Sequence, residues 1–155
     1  MKIIILSVLM VIPISGCAGK IFQPPPPAFL NWISPGSSIV EVKKKLLECG
    51  MPEPTSKTAA YYEISINEQA SISFCMERSG FHRKSGRSTW CENYREMNLP
   101  ICSPGAVIPS PSVERRLNTP YCRAKTDFQY CKKNARFPEA CVKNDYDNPA
   151  PECLP

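Results

Sequence analysis

Cysteine and histidine are the side chains best suited to nucleophilic, redox or metal chemistry, and this 155-residue chain holds nine cysteines and one histidine. Zinc sites are assembled from closely spaced ligand pairs such as C-x2-4-C. Cys17, Cys49, Cys75, Cys91, Cys102, Cys122, Cys131, Cys141 and Cys153 include no such pair, so neither a metal nor another dissociable cofactor is expected. A Ser-His-Asp or Cys-His site needs an imidazole held against a nucleophile by an orienting group. His82 is the sole imidazole, and its neighbours are the cations Arg78, Arg83, Lys84 and Arg87. A solvated loop histidine is the simpler reading; a small periplasmic hydrolase or cell-wall enzyme using His82 ranks last. Scattered Asp and Glu single out no glycosidase-like carboxylate pair, and no phosphate-cradling glycine loop occurs. No catalytic residue is assigned, and the chain is read as a non-enzyme.

The N-terminus bears on where this chemistry takes place. Met1-Lys2 supplies a positive start, and Ile3 to Ile14 an apolar run too short to span a bilayer as a mature helix. Small Ser15 and Gly16 then precede Cys17 directly. Ile14-Ser15-Gly16-Cys17 resembles the lipobox of bacterial lipoproteins. The resemblance implies that residues 1–16 are a signal peptide, that the Cys17 sulfur carries a diacylglyceryl thioether, and that the new N-terminus is acylated with a fatty acid such as palmitate. Ala18 stands where an Asp would favour inner-membrane retention, so the resemblance implies the outer membrane, facing the periplasm or the cell surface. Setting Cys17 aside leaves an even count of eight cysteines, which in an exported protein reads as four disulfides. Eight cysteines allow 105 connectivities.

Residues 17–31 read as a tether, with Pro24 to Pro27 forming a stiff polyproline II spacer rising ~3.1 Å per residue. Residues 32–87 read as a helical module. Ser38 and Glu41 form a capping box; Ile39, Val42, Leu46 and Cys49 recur on one face, while Lys43, Lys44, Lys45 and Glu48 mostly cover the other. Gly50 and Pro52 stop this helix. Tyr61 to Ile66 alternates as a short strand would, whereas Ser65 and Glu68 suit a second capping box opening a helix through Ile72, Cys75 and Met76 to Gly80. The helix is favoured. Each helix then presents one cysteine on its apolar side, making Cys49–Cys75 a natural bridge.

Beyond Arg87, Pro100, Pro104, Pro109, Pro111 and Pro120 cut the chain into turns. Residues 88–155 are expected to be an irregular Cys/Pro-rich loop region, either a second unit or packed on the first. A faint repeat pairs Trp90-Cys91 … Pro100-Ile101-Cys102 with Tyr130-Cys131 … Pro138-Glu139-Ala140-Cys141, and Pro120-Tyr121-Cys122 and Pro151-Glu152-Cys153 echo its end. The expected fold is small, disulfide-rich and mainly α, with long Pro-rich loops: a stapled helical pair plus an irregular cysteine-rich half.

Trp32-Ile33-Ser34-Pro35-Gly36-Ser37, Leu46-Leu47-Glu48-Cys49-Gly50 and Cys75-Met76-Glu77-Arg78-Ser79-Gly80-Phe81 together are similar to small cysteine-rich Gram-negative envelope lipoproteins with a C-M-x-x-x-G-(F/Y) element. That resemblance implies a disulfide-linked helical pair and carries no established activity. Pro35-Gly36-Ser37, Glu41-Val42 and Leu46 to Pro52 resemble the opening helix of the small lipoprotein of the outer-membrane barrel-assembly machinery. That family lacks this cysteine-rich C-terminal half, and its role is not transferred.

Basic stretches supply the only charge asymmetry. Arg78, Arg83, Lys84 and Arg87 form one, and the stretch opened by Arg115 and Arg116 carries seven cations against Asp127. These six named residues are candidate anion ligands for lipopolysaccharide phosphates, anionic lipid or cell-wall carboxylates, with Tyr121, Phe128 and Tyr130 available for stacking. Nucleic acid is not expected as a partner. The functional expectation is an outer-membrane-anchored, non-enzymatic interaction or assembly module that meets an envelope protein or an anionic glycan or lipid. Trp32, exposed prolines and the basic loops would be its contact surface. A surface-displayed module facing host or phage is the alternative.

Overall fold

Residues 26–55, 64–86 and 88–155 are described by the computed structural model of the chain. The signal segment, Cys17, most of the tether, Tyr61 to Glu63 and Arg87 lie outside them. The expected fold class holds: short helices and turns joined by proline-rich loops and four disulfides, with strand among the described residues reduced to one ribbon of two two-residue strands.

Two helices of the same local design form the frame. In α1 (Ile39–Glu48), the Glu41 amide donates to Ser38 Oγ and the Ser38 amide donates to the Glu41 carboxylate. In α2 (Ile66–Arg78), Ser65 and Glu68 do the same, so the helical alternative holds from Ser65 onward. Each box satisfies two of the orphan amides at a helix start. Both helices also end alike. Gly50 and Gly80 take φ of 104° and 84°, a left-handed turn costly for a residue with a Cβ. The next amides then reach back, Met51 to the Leu46 carbonyl at 2.9 Å and Phe81 to the Met76 carbonyl at 3.1 Å. This Schellman geometry turns Met51 and Phe81 into the core beside the residues they bond. Cys-Met followed by Gly-Phe at 75–81 is therefore a physical unit: one disulfide half, one core side chain, one left-handed turn and one apolar plug.

Cys49–Cys75 joins the helices as expected, with Cα atoms 5.6 Å apart, and Val42, Leu46, Ile72 and Met76 pack around it. β1 (Trp32–Ile33) pairs antiparallel with β2 (His82–Arg83) and closes this cluster. Trp32 is only 6% exposed, so it is a core residue and not part of a contact surface. Ile39, expected on the buried face, is instead 57% exposed at the first position of the helix.

A second departure from the expectation concerns the polar side of α1. Leu47 and Glu48 are buried there because the C-terminal half packs against it. Leu47 meets the Cys122–Cys153 bridge. The C-terminal half is also more regular than expected. α3 (Trp90–Asn93), α4 (Val113–Leu117), α5 (Pro120–Thr126) and α6 (Phe128–Asn134) are short, with 3-10 turns at Pro100–Cys102, Pro138–Lys143 and Pro151–Cys153. Ser112, Thr119 and Asp127 cap the last three helices through their side chains. Every Pro-x-Cys element is the first turn of a helix or 3-10 turn, where proline's missing N–H costs nothing and its φ is already helical. Cys91–Cys102 and Cys131–Cys141 each close one copy of the repeated motif, at separations of 11 and 10 residues.

Candidate functional site

All eight cysteines among the described residues are joined pairwise, so none offers a thiolate there. Cys91 and Cys102 are half-buried, whereas the other six are buried.

The first basic stretch is divided by strand geometry, in which successive side chains point to opposite faces. His82 and Lys84 are exposed, and Arg78 is exposed at the end of α2. Arg83 turns inward. Its guanidinium donates to Ser73 Oγ at 3.1 Å and lies over both Trp32, at 5.2 Å, and Trp90, at 5.5 Å. Arg83 is therefore a packing residue that ties the β-ribbon to α3. Arg87 lies outside the described residues.

Of the second pair of candidate anion ligands, Arg115 is exposed and Arg116 is buried. Arg115 donates to the backbone carbonyls of Glu48 and Ser110. Arg116 is 2% exposed, pairs with Glu48 at 3.2 Å, and donates to the carbonyls of Glu152, at 2.7 Å, and Leu154. Lys45 takes the other Glu48 oxygen. Beside this pair, Glu152 accepts from Lys43 at 3.1 Å and from the Tyr121 hydroxyl at 2.6 Å. Burial pushes the Tyr121 phenol far above its ordinary value, helped by the neighbouring Glu152 carboxylate. Burial opposes the charge on Glu152, yet the hydrogen bonds from Tyr121 and Lys43 outweigh it and hold that carboxyl below the usual range. This network is a charged seam between α1 and the C-terminal half, with each charge matched.

The aromatic rings of the second basic stretch are covered by their own cations. Lys125 sits over Tyr121, Lys132 over Phe128 and Arg123, at 3.9 Å, over Tyr130. Each of these contacts takes one face of its ring.

A different aromatic pair lines an open site. Trp90 and Tyr94 stack with centroids 5.4 Å apart, and both are half-buried. Trp32, Arg83, Trp90 and Tyr94 thus form a chain of ring contacts from core to surface. A cleft of about 260 Å³ opens beside them, walled by Ser85, Ser88, Thr89 and Asn93. The four-residue spacing of Trp90 and Tyr94 on a helical turn is the signal that could have found this pair.

Comparison with protein-family models, with curated proteins and with solved structures finds no match to this chain.

Proposed function

We propose that the protein is an outer-membrane lipoprotein, anchored through acyl chains on Cys17, whose disulfide-stapled helical body acts as a non-enzymatic interaction module for another envelope component. One observation carries this reading. Eight of the nine cysteines pair with one another, which leaves Cys17, at the end of the lipobox-like Ile14-Ser15-Gly16-Cys17, with no intrachain partner. The diacylglyceryl thioether would use that sulfur. Each buried CH2 contributes roughly 0.8 kcal/mol, so several acyl chains on one residue hold where a single chain is marginal. The proline run keeps the folded body off the lipid surface. The bridges pre-order loops that would otherwise lose entropy on meeting a partner. Arg78 and Lys84 supply exposed positive charge for an anionic neighbour.

The test is intact mass and membrane fractionation of the protein and of Cys17→Ser. Wild type is expected without residues 1–16, carrying the acyl mass and partitioning into the outer membrane. Cys17→Ser is expected to retain its leader or become soluble. An unacylated wild type, or acylation that survives the substitution, refutes the proposal.

A further inference from the structure

We infer that the cleft beside Trp90 and Tyr94 is a saccharide site, sized for one pyranose ring and using the Tyr94 ring as its stacking platform. Its chemistry is that of a sugar site in three respects. First, the aromatic floor is held in place. Tyr94 stacks on Trp90, Trp90 lies under the Arg83 guanidinium, and Arg83 also lies over the buried Trp32 ring. The outermost ring of that chain lines this cleft and two neighbouring depressions. An aromatic face carries partial negative charge, which suits the polarised C–H face of a pyranose.

Second, the walls are polar and neutral. The Asn93 side-chain N–H donates to Thr89 Oγ1 at 2.8 Å, which leaves the Thr89 hydroxyl proton and the Asn93 carbonyl oxygen to serve a ligand as donor and acceptor. Ser88 Oγ is buried and makes no hydrogen bond among the described residues, although buried hydroxyls are nearly always satisfied. A sugar hydroxyl supplies the missing partner, whereas a flat apolar ring would stack but leave these walls unmatched. Among the described residues no carboxylate lines the cleft, and the cation that does, Arg83, is held by Ser73 and the two tryptophans. A simple anion therefore gains less here than a hydroxylated ring.

Third, a volume of about 260 Å³ lies just below the usual span for small-molecule pockets, so one ring fits and the rest of a glycan would extend into solvent. Stacking and hydrogen bonding at this cleft do not depend on acylation at Cys17. Only the choice of envelope sugars as probes rests on the proposed function.

The test uses the full acylated chain with its disulfides intact, in a detergent without a sugar head group, titrated by tryptophan fluorescence and calorimetry. The probes are the cell-wall disaccharide of N-acetylglucosamine and N-acetylmuramic acid and, separately, lipopolysaccharide core oligosaccharide. Saturable binding of either supports the site and identifies the source. Tyr94→Ala should then weaken binding about fivefold or more, while Tyr94→Phe, which keeps the ring, should retain it. Ser88→Ala should weaken binding about three- to tenfold while leaving the melting temperature unchanged or higher, the opposite of a structural hydroxyl. Absence of saturable binding to both sugars, or binding that is indifferent to Tyr94→Ala and Ser88→Ala, overturns the inference.

Discussion

Replacing Arg116 with Met isolates what the buried guanidinium contributes. Methionine keeps much of the side chain's length and packing, so the loss is electrostatic. Three interactions disappear: the Glu48 pair at 3.2 Å, and the hydrogen bonds to the carbonyls of Glu152 and Leu154. Removing one partner of a buried ion pair costs about 3–5 kcal/mol, and an orphaned buried carbonyl about 1–3 kcal/mol. Lys45 remains on the second Glu48 oxygen, which moderates the first loss. A destabilisation of about 3–5 kcal/mol follows, set against a total near 5–15 kcal/mol for a domain of ordinary stability. With a urea slope of about 1–3 kcal/mol/M, the unfolding midpoint should fall by roughly 1–5 M under oxidising conditions. A second variant, Arg116→Met with Glu48→Leu, replaces the pair by apolar groups and should recover part of the loss, because it leaves no unpaired buried carboxylate. A single variant that loses less than about 1 kcal/mol, or a double variant no more stable than the single, would refute the view that this seam is held by matched charge.

The disulfides should differ in both cost and accessibility. By loop entropy, opening Cys122–Cys153, with a separation of 31 residues, costs about 3.7 kcal/mol and opening Cys91–Cys102, with a separation of 11, about 2.8 kcal/mol. Cys91–Cys102, the half-buried bridge, should be the first reduced by dithiothreitol. Alkylation and peptide mapping of partly reduced protein test this, and earlier loss of Cys122–Cys153 would refute it. Stability should fall in acid. Glu152 is held low against its own burial by Tyr121 and Lys43, and Glu41 and Glu68 by their capping serines. Carboxyls lowered on folding contribute stability that is present above the usual carboxylate range and lost as pH falls through their folded values. Urea midpoints measured downward from neutrality should therefore decline there, and less steeply in Glu152→Gln; equal slopes would remove Glu152 from the explanation.

The parts of the fold that were legible are those written locally. Ser38 with Glu41 and Ser65 with Glu68 announce two helix starts, Gly50 and Gly80 their ends, and cysteines on facing apolar sides the bridge between them. The motif shared by 91–102 and 131–141 was visible as a repeat, but its closure by a disulfide within each copy was not. What stayed hidden depends on partners far along the chain. Glu48 and Arg116 read as solvated charges because neither shows by itself that the other neutralises it across an interface. Leu47 belongs to no helical stripe, since its contact is supplied by two cysteines. Arg83 was grouped with the cations around it, but strand alternation sends its neighbours outward and Arg83 inward, which also concealed the ring chain leading to Tyr94.

Lys43 and Glu152 stand 109 positions apart, and that span imposes an order on biogenesis. As the polypeptide is made from its N-terminus, α1 and α2 can meet and oxidise early, Glu48 gains its partner once Arg116 has been made, and Leu47 is fully covered only once Cys153 joins Cys122. Contacts of such separation form late, and exposed apolar surface in the interval is what chaperones bind and proteases cut. The Pro151–Cys153 turn therefore covers this flank of α1 last: a chain arrested before residue 151 would carry a finished helical pair with Leu47 still lacking the Cys122–Cys153 bridge it packs against.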